Sequence, residues 1–349
     1  MPPVPTFSVI VPAHNGVTVL PLSLGALAAS NLPRERWELI VVDDASGDET
    51  PRLAAQWADR VVSLNGAPHG PAYARNRGVE ASRGEWVVFI DADVVVHTDT
   101  LQRFAEAIAK DPDIDAVFGA YDEAPPAPGF LSRYRNLLHH YIHLCGAGEA
   151  DTFWAGCGAV RRSAFQRVGG FDEQRYPRPQ IEDIELGYRL RDQGSRIVIR
   201  PEIQGAHLKR WTLFGSIRTD LLDRGIPWVR LLLERKRMAN PAHLNLKRGE
   251  RAKMTLVWLG LLLLVVALLL HSGVALAAGI AALLTVVLWN LALFRWFGRQ
   301  RGPLFALAVV PMNLWYYLVS GVAVLAAVTL NLGLGRDPGR TRTRRNRSL

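Results

Sequence analysis

The chain has 349 residues, a formal net charge of +9 at pH 7 and an ordinary hydrophobic fraction of 49%. That length allows one large domain with an appendage, or two domains. The two cysteines, Cys145 and Cys157, are too few for a disulfide framework and favour a reducing compartment. Residues 1–250 are typical of a water-soluble α/β chain, whereas 254–332 are almost free of charge. The composition therefore indicates a soluble part joined to a membrane part.

In the first half of the chain, apolar β-rich runs alternate with helical patterns. This alternation predicts right-handed βαβ units and a Rossmann-like, mostly parallel sheet. Strands are expected at 7–12, 37–43, 60–64, 85–91 and 115–121, with helices at 18–30, 50–58, 72–82 and 101–110. After a Pro-rich connection, helices are expected at 130–144 and 181–192 and a strand at 196–199. The predicted fold class is α/β, followed by an α-helical membrane domain.

An amphipathic stretch at 211–237 follows the predicted sheet. Phe214, Ile217 and Leu221 lie at helical spacing, with basic residues opposite them. This composition favours helices that lie in a membrane interface, and the alternative is an ordinary surface helix. Together with the basic linker that follows, the interfacial region is predicted to span 211–253.

Three apolar runs follow, at 254–270, 274–294 and 304–332. The first two can each cross a bilayer, and a basic segment after them is expected to be cytoplasmic. The third run, broken by Pro311, either crosses once or forms a re-entrant segment. One crossing would place the Arg-rich tail at 333–349 outside, against the positive-inside trend. The sequence therefore predicts two to three crossings and a disordered basic tail, which either contacts lipid headgroups or only sets the topology.

The N-terminus has neither a basic n-region nor a long apolar run, so no signal peptide is predicted. We therefore expect the soluble domain to lie on the cytoplasmic side of a bacterial-type cell membrane. A nucleic-acid partner is disfavoured because the basic tail lacks interleaved aromatic residues and adjoins an apolar run.

Two aspartates interrupt the apolar run VFIDADVVV at Val88–Val96. Residues two apart on a strand point to the same side, so Asp91 and Asp93 can share one face. Such a pair can hold Mg²⁺ or Mn²⁺ with phosphate and water oxygens completing the coordination, or it can simply cap a turn.

A second apolar strand also ends in two acids, Asp43 and Asp44. Carboxylates at this position can accept hydrogen bonds from a nucleobase and a ribose. A nucleotide that reaches from them to a cation on Asp93 would use both motifs. No G-x-G-x-x-G follows the first strand and no P-loop is present, which disfavours dinucleotide and P-loop sites.

Six motifs in order resemble family 2 glycosyltransferases of the GT-A fold. They are Val11-Pro-Ala-His-Asn15, Asp43-Asp44-Ala-Ser, Ala74-Arg-Asn-Arg-Gly78, Asp91-Ala-Asp93, Trp154-Ala-Gly-Cys-Gly158 and Ile181-Glu-Asp183. The resemblance covers about 7–211 and places the domain at 1–210. It implies a nucleotide-sugar donor and inversion at the anomeric carbon.

The resemblance also implies roles for individual residues on the donor side. Pro12, Ala13 and Asn15 would line the base pocket, with Asp43 and Asp44 contacting base and ribose. Arg75 would lie near the donor, Asp91 would face the ribose, and Asp93 would bind the metal.

On the acceptor side, the resemblance implies that Glu182 and Asp183 are the acidic pair, with Asp183 as the general base. Helix capping is the alternative explanation for these acids. Trp154, Gly156, Arg210 and Trp211 would contact the acceptor or sugar, although either tryptophan can also pack the core.

The segment His207-Leu-Lys-Arg-Trp211 departs from the Gln-x-x-Arg-Trp of many processive members of the family. That departure puts processive polymerisation in doubt. Because neutral imidazole ligates metals, His207 is a candidate second metal ligand; a hydrogen-bonded loop histidine is the alternative.

The functional hypothesis is a membrane-anchored, metal-dependent inverting hexosyltransferase that uses a UDP- or GDP-sugar and a lipid-linked or cell-envelope glycan acceptor. A polyprenyl-phosphate acceptor is one subtype, disfavoured because 94–98 lack the run common in that subfamily. The alternative from another class is a non-catalytic membrane subunit that binds nucleotide-sugar.

Overall fold

A computed structural model of the protein describes residues 5–235 and 248–334. They form two compact units, which we call the sheet unit (5–213 and 296–305) and the helical unit (214–235, 248–295 and 306–334). Part of the predicted basic linker and nearly all of the predicted disordered tail, at 236–247 and 335–349, lie outside the described residues.

The sheet unit is built on one mixed sheet. Its strands are β1 Phe7–Ala13, β2 Trp37–Asp44, β3 Arg60–Leu64, β4 Trp86–Ile90, β5 Val94–Val96, β6 Ala116–Tyr121, β7 Gly148–Ala150, β8 Cys157–Arg161 and β9 Ile197–His207. Their order is β3-β2-β1-β4-β8-β6-β9-β5, with β7 also paired to β9. The strands from β3 to β4 are parallel; β8 runs antiparallel to both neighbours, and β5 and β7 run antiparallel to β9. The sheet thus has a parallel half and a mixed half.

Seven α-helices of this unit connect the strands. They are α1 Leu20–Ala28, α2 Thr50–Ala54, α3 Pro71–Ala81, α4 Thr100–Lys110, α5 Phe130–Cys145, α6 Arg162–Arg167 and α7 Glu182–Asp192. The central strands β1, β2 and β4 are buried on both faces, which explains their nearly continuous apolar sequences. On one face α3 packs so closely that a Cβ added at Gly78 would lie 2.4 Å from Ile10 Cγ2. Gly78 is therefore a packing residue that brings α3 against the sheet.

The α/β prediction is confirmed, and the strands of the parallel half lie where the sequence places them. The mixed half was only partly foreseen, because β5 and β7 are three residues long and β9 extends eight residues beyond the predicted end at 199. Pairing of Val94 with His207 brings the residues after β4 beside the end of β9. This pairing is the link that places Asp93 near His207.

The helical unit contains most of the C-terminal helices. Beginning at the unit boundary, the helices are α8 Leu213–Arg218, a π-helical segment Thr219–Gly225, α9 Ile226–Glu234, α10 Arg248–Leu270, α11 Gly273–Trp289, α12 Leu291–Arg301 and α13 Pro303–Leu334. Two stretches, Gly249–Leu270 and Pro303–Leu332, are long and apolar enough to cross a membrane. A pair bent by 57°, α11 with α12, would raise the number of spans to three if it forms one span. The break predicted at Pro311 does not interrupt α13, which continues through it.

Within the helical unit, α10 and α11 approach closely at two glycines. A Cβ at Gly260 would lie 3.2 Å from the Gly279 carbonyl oxygen, and one at Gly279 would lie 3.0 Å from that of Gly260. Small residues at such contacts allow helix backbones to pack tightly in an apolar environment. This contact explains why glycine occurs inside both apolar helices.

A polar cluster of four side chains joins α10, the end of α11 and α13. Lys253 Nζ donates to Glu250 Oε1 at 2.7 Å and to Asn290 Oδ1 at 2.9 Å. Tyr317 Oη donates to Glu250 Oε2 at 2.7 Å. Lys253, Asn290 and Tyr317 are buried, so the cluster satisfies groups that would be costly to bury alone.

Candidate active site

Two acids end strand β2, and both are buried. The Asp44 carboxylate accepts the backbone N–H groups of His69, at 2.9 Å, and Gly70, at 2.7 Å. Asp43 Oδ1 accepts the N–H of Ser46 at 3.3 Å. These carboxylates therefore hold the loops that lead into α2 and α3. Their direct contact with a base and ribose stays a prediction.

The loop after β1 is tied to the loop after β2. Asn15 adopts a left-handed backbone conformation with φ of 49°, which asparagine tolerates better than most residues. Its N–H donates to Ser46 Oγ and its Oδ1 accepts the N–H of Gly47, each at 2.9 Å. Pro12 and Ala13 end β1 beside these loops, with Ala13 paired to Asp43. The predicted base-pocket residues thus lie together at one edge of the sheet.

Arg75, on α3, joins the two acidic motifs. Its guanidinium donates from Nη2 to Asp91 Oδ1 at 2.7 Å and from Nη1 to Glu182 Oε1 at 2.9 Å. Burial alone would lower the pKa of Arg75, but the carboxylates of Asp91, Glu182 and Asp183 outweigh burial and raise it. Arg75 is 4% exposed, which excludes a solvated helix arginine. Arg75 is therefore a buried, permanently charged residue that joins Asp91 to Glu182, which lies 91 positions later in the sequence.

The two neighbouring acids at the start of α7 have different surroundings. Glu182 is buried, and its second oxygen accepts the N–H of Gln180 at 2.9 Å. Asp183 is half-buried; its Oδ2 accepts the N–H of Ala155 at 3.2 Å and its Oδ1 that of Ile184 at 2.8 Å. The first turn of a helix stabilises a carboxylate in its ionised form. Glu182 is held by Arg75, whereas Asp183 is the more exposed of the two acids.

Asp93 faces the imidazole of His207, and their Oδ2 and Nε2 atoms are 3.3 Å apart. On the other side of the ring, Nδ1 lies 2.9 Å from Asn136 Oδ1. Because an amide oxygen only accepts, Nδ1–H donates to Asn136 Oδ1 and Nε2 points at Asp93. Two lone-pair atoms this close repel each other unless a cation, either a proton or a metal ion, lies between them.

Electrostatics at Asp93 favour the ionised carboxylate. Burial would raise the pKa of Asp93, but the hydrogen bond and charge of His207, with the charge of Lys209, lower it. One carboxylate oxygen and one imidazole nitrogen suit Mn²⁺, and oxygen ligands suit Mg²⁺. Among residues 5–235 and 248–334 there is no group of three or more His, Cys, Asp or Glu arranged to hold a metal ion. The remaining ligands would therefore come from substrate and water oxygens.

Trp154 lies in a cluster of aromatic rings near this pair. Its ring is 4.8 Å from that of Tyr121 and 4.7 Å from that of His139, measured between centroids. A Cβ at Gly156 would lie 2.6 Å from the Trp154 ring, so only glycine fits beneath it. Gly156 therefore positions Trp154, and contact of either residue with a sugar stays a prediction.

The predicted Arg210 and Trp211 follow β9. Trp211 N–H donates to Ser132 Oγ at 2.9 Å, which fixes its backbone to α5. The Arg135 guanidinium and the Lys209 ammonium lie 4.1 and 4.3 Å from its ring centroid, within cation–π range. Arg210 is exposed. Lys209, Arg210 and Arg135 thus form a positively charged surface around Trp211, which we call the basic rim. A sugar that stacks on the Trp211 ring would compete with Arg135 and Lys209 for it.

Sequence reasoning missed Asn136 and Tyr121, which hold His207 from two sides. The Tyr121 ring stacks on the His207 ring at 4.3 Å with an interplanar angle of 6°. The available signal was the run of histidines on α5, His139, His140 and His143, which is unusual for a surface helix.

The sheet edge, the Arg75 link and the Asp93–His207 pair are the features on which the sequence motifs converge. Residues 8–169 match the sequence model of Glycosyl transferase family 2. This part of the chain is therefore a family 2 glycosyltransferase domain, which confirms the resemblance seen in the motifs.

Relatives and a solved structure agree with this assignment. The chain is 26% identical over 214 residues to the probable glycosyltransferase YdaM of Bacillus subtilis, and 28% identical over 233 residues to validoxylamine A glucosyltransferase of Streptomyces hygroscopicus. Each match covers 58% of this chain and 50% or 55% of the relative, so the chain spans about half the length of these relatives. The mannosyltransferase PcManGT of Pyrobaculum calidifontis, solved with GDP-Man and Mn²⁺, superimposes with a TM-score of 0.55 at 21% identity, covering 92% of this chain and 87% of that one. This last similarity establishes the fold.

Proposed function

We propose that the protein is a membrane-anchored, metal-dependent inverting glycosyltransferase. It would transfer a hexose from a UDP- or GDP-sugar to a lipid-linked or cell-envelope glycan acceptor. The observation that carries the proposal is the Arg75 link, because one buried guanidinium contacts Asp91 of the D-x-D motif and Glu182 beside the candidate base. The donor motif and the acceptor motif thereby belong to a single site.

On the donor side, the loops held by Asp43, Asp44 and Asn15 would form the base pocket. Asp93 and His207 would hold Mg²⁺ or Mn²⁺; the structure of PcManGT is a complex with GDP-Man and Mn²⁺. A divalent cation held by Asp93 and His207 would neutralise negative charge on the leaving diphosphate. Arg75 would hold Asp91 oriented toward the ribose.

On the acceptor side, Asp183 would act as the general base. It would take the proton of the acceptor hydroxyl as that oxygen attacks the anomeric carbon opposite the diphosphate. The N–H groups of Ala155 and Ile184 orient the carboxylate without neutralising it. Trp154 would contact the acceptor or sugar, and Arg210 and Trp211 would lie at the basic rim of the acceptor site.

A panel of UDP- and GDP-hexoses, incubated with the full chain in detergent and Mn²⁺ or Mg²⁺, tests this proposal. We expect one donor to be hydrolysed or transferred, with inversion seen by NMR of the product. Asp93→Ala and Asp183→Asn should each lower turnover by about 100-fold or more, whereas Asp113→Asn, an exposed acid outside the site, should leave it unchanged. Turnover close to that of the natural protein in either active-site variant contradicts the mechanism. Donor binding without turnover for any sugar would instead favour a non-catalytic subunit.

Two observations support the membrane anchor. Two helices are long and apolar enough to cross a membrane, and Phe214, in the amphipathic stretch, is 78% exposed. We propose that these helices cross a bacterial-type cell membrane and leave the sheet unit on the cytoplasmic side, near a lipid-linked acceptor. A reporter fused after Leu349 tests the topology. With three crossings the reporter should be outside, and a cytoplasmic signal would reject that number.

A further inference from the structure

Helix α5 carries the side chain that controls His207. Asn136, which is 1% exposed, holds His207 Nδ1 at 2.9 Å, and its Nδ2 points at the His207 backbone oxygen at 3.4 Å. The amide is thus oriented by its Nδ2 contact, and its Oδ1 accepts a hydrogen bond from the imidazole Nδ1–H. As a result, the Nε2 lone pair is directed at Asp93.

The same helix holds the stacking partner of His207. His140 Nδ1 lies 2.6 Å from the Tyr121 carbonyl oxygen, and the Tyr121 ring lies parallel to His207 at 4.3 Å. One interaction therefore fixes the plane of the imidazole and the other its tautomer. Both depend on the position of α5.

Besides packing on the sheet, α5 contacts residues 296–305, which belong to the same compact unit. We call these residues the docking segment. Trp296 stacks on His140 at 5.8 Å and contacts Tyr141 at 5.2 Å, and Phe305 contacts Phe130 at 5.0 Å. Phe297, in the same segment, is fully buried.

The docking segment also hydrogen-bonds to the loop before α5. Gln300 Nε2 donates to Glu123 Oε2 at 2.9 Å, and Arg301 Nη2 donates to the Glu123 carbonyl oxygen at 2.8 Å. A basic segment between two apolar helices, predicted only to be cytoplasmic, is therefore a structural part of the sheet unit.

We propose that Asn136 is a positioning residue for the metal ligand His207, and that the docking segment supports it by holding α5. The proposal rests on the proposed function, because it assumes that Asp93 and His207 bind the cation. Groups that orient a ligating histidine through its second nitrogen fix its tautomer and raise its affinity for metal. The residues that join two apolar helices would thus contribute to metal binding.

Mn²⁺ binding to the full-length protein in detergent, measured by EPR of free Mn²⁺ without any donor, tests this directly. Asn136→Ala should weaken binding by about 10- to 100-fold, the usual effect of removing such a partner. Asn136→Asp, which keeps an acceptor for the Nδ1 proton, should stay within about threefold of the natural protein. Trp296→Ala should weaken binding less, by about threefold.

Leu137→Ala is the matched control, because Leu137 is fully buried on the same helix and is the next residue along the chain. It should lower Tm while leaving the Mn²⁺ affinity unchanged. Equal weakening by Leu137→Ala and Asn136→Ala would overturn the positioning role and leave only packing. Unchanged binding in Trp296→Ala would overturn the role of the docking segment.

His207→Ala and Asp93→Ala separate this inference from the proposed function. If both bind Mn²⁺ like the natural protein, the metal site itself is wrong and the proposed function fails. If they bind weakly but Asn136→Ala binds normally, only the positioning role is overturned.

Discussion

The two halves of the sheet hold their carboxylates in different ways. In the parallel half, Asp43 and Asp44 accept backbone N–H groups of neighbouring loops. In the mixed half, Asp93 faces the imidazole of His207, which is itself oriented by a side-chain amide. Asp44 Oδ1 also lies 3.3 Å from the His69 imidazole, but its shorter hydrogen bonds come from backbone N–H groups. The parallel half therefore ties its acids chiefly to loop backbone, whereas the mixed half orients a side chain toward its acid.

The largest effect is expected from the mixed half, at the candidate base. Asp183→Asn should lower kcat by about 10²- to 10⁴-fold, because the amide cannot accept the hydroxyl proton. Donor affinity, measured by calorimetry, should change little, since Asp183 belongs to the acceptor side. A fall in donor affinity that matches the fall in kcat would show that Asp183 organises the donor site instead.

Arg75 connects the two halves, and its loss should cost stability. Arg75→Met leaves Glu182 buried without its partner, and we expect unfolding to become easier by about 3 kcal/mol in a denaturant titration. The double variant Arg75→Met/Glu182→Gln should recover part of that loss, since no buried charge remains unpaired there. Equal stabilities of the single and double variants would show that the Glu182 contact is unimportant.

A smaller effect is expected beneath Trp154. Gly156→Ala places a methyl group where the Trp154 ring lies, so the ring must move, at a cost of about 1–3 kcal/mol in unfolding free energy. Tryptophan fluorescence and thermal unfolding measure both consequences. Gly25→Ala, on α1, meets only Trp57 at an ordinary 3.6 Å and should be neutral or slightly stabilising. If both variants behave alike, the close approach at Gly156 has no energetic consequence.

The smallest effect is expected in the parallel half, at Glu38 on β2. Burial would raise the pKa of Glu38, but hydrogen bonds from Ser8 and Arg83 lower it below the ordinary 4.5. A carboxyl group with a lowered folded-state pKa stabilises the protein above its unfolded pKa and loses this contribution as the pH falls. Glu38→Gln should therefore cost about 1 kcal/mol at pH 7. The difference from the natural protein should shrink below about pH 4.5, measured by denaturant unfolding; a difference that is constant with pH would exclude the charge as its cause.

The parallel half was predictable from the sequence because each strand is a short apolar run that ends in a polar residue. The positions of Asp43, Asp44 and Asp91 follow from that pattern alone. The roles of the acids did not follow from it. Asp44 accepts two loop N–H groups, and which hydrogen bonds a carboxylate accepts depends on loop conformations that periodicity does not encode.

The mixed half was less predictable because its organisation depends on contacts between distant residues. The three-residue strand β5 has no periodicity of its own and forms by pairing with β9. Asn136 reaches His207 across 71 positions of sequence, and no local pattern marks an asparagine in a helix as a partner of a histidine. The same reason explains why Arg75 was placed near the donor but not recognised as the link to Glu182.

The polar cluster on α10 has a consequence for how the chain is made. Glu250 and Lys253 emerge from the ribosome with the first apolar helix. The hydroxyl that donates a hydrogen bond to Glu250 belongs to Tyr317, which is synthesised 67 residues after Glu250. Until α13 has been synthesised, the acid has its lysine but lacks the hydroxyl donor that completes the set. If these helices enter a membrane as proposed, we expect α10 to reach its final depth only after α13 has been synthesised. A nascent chain truncated before Tyr317 should be extracted from membranes by alkaline carbonate more readily than one truncated after it.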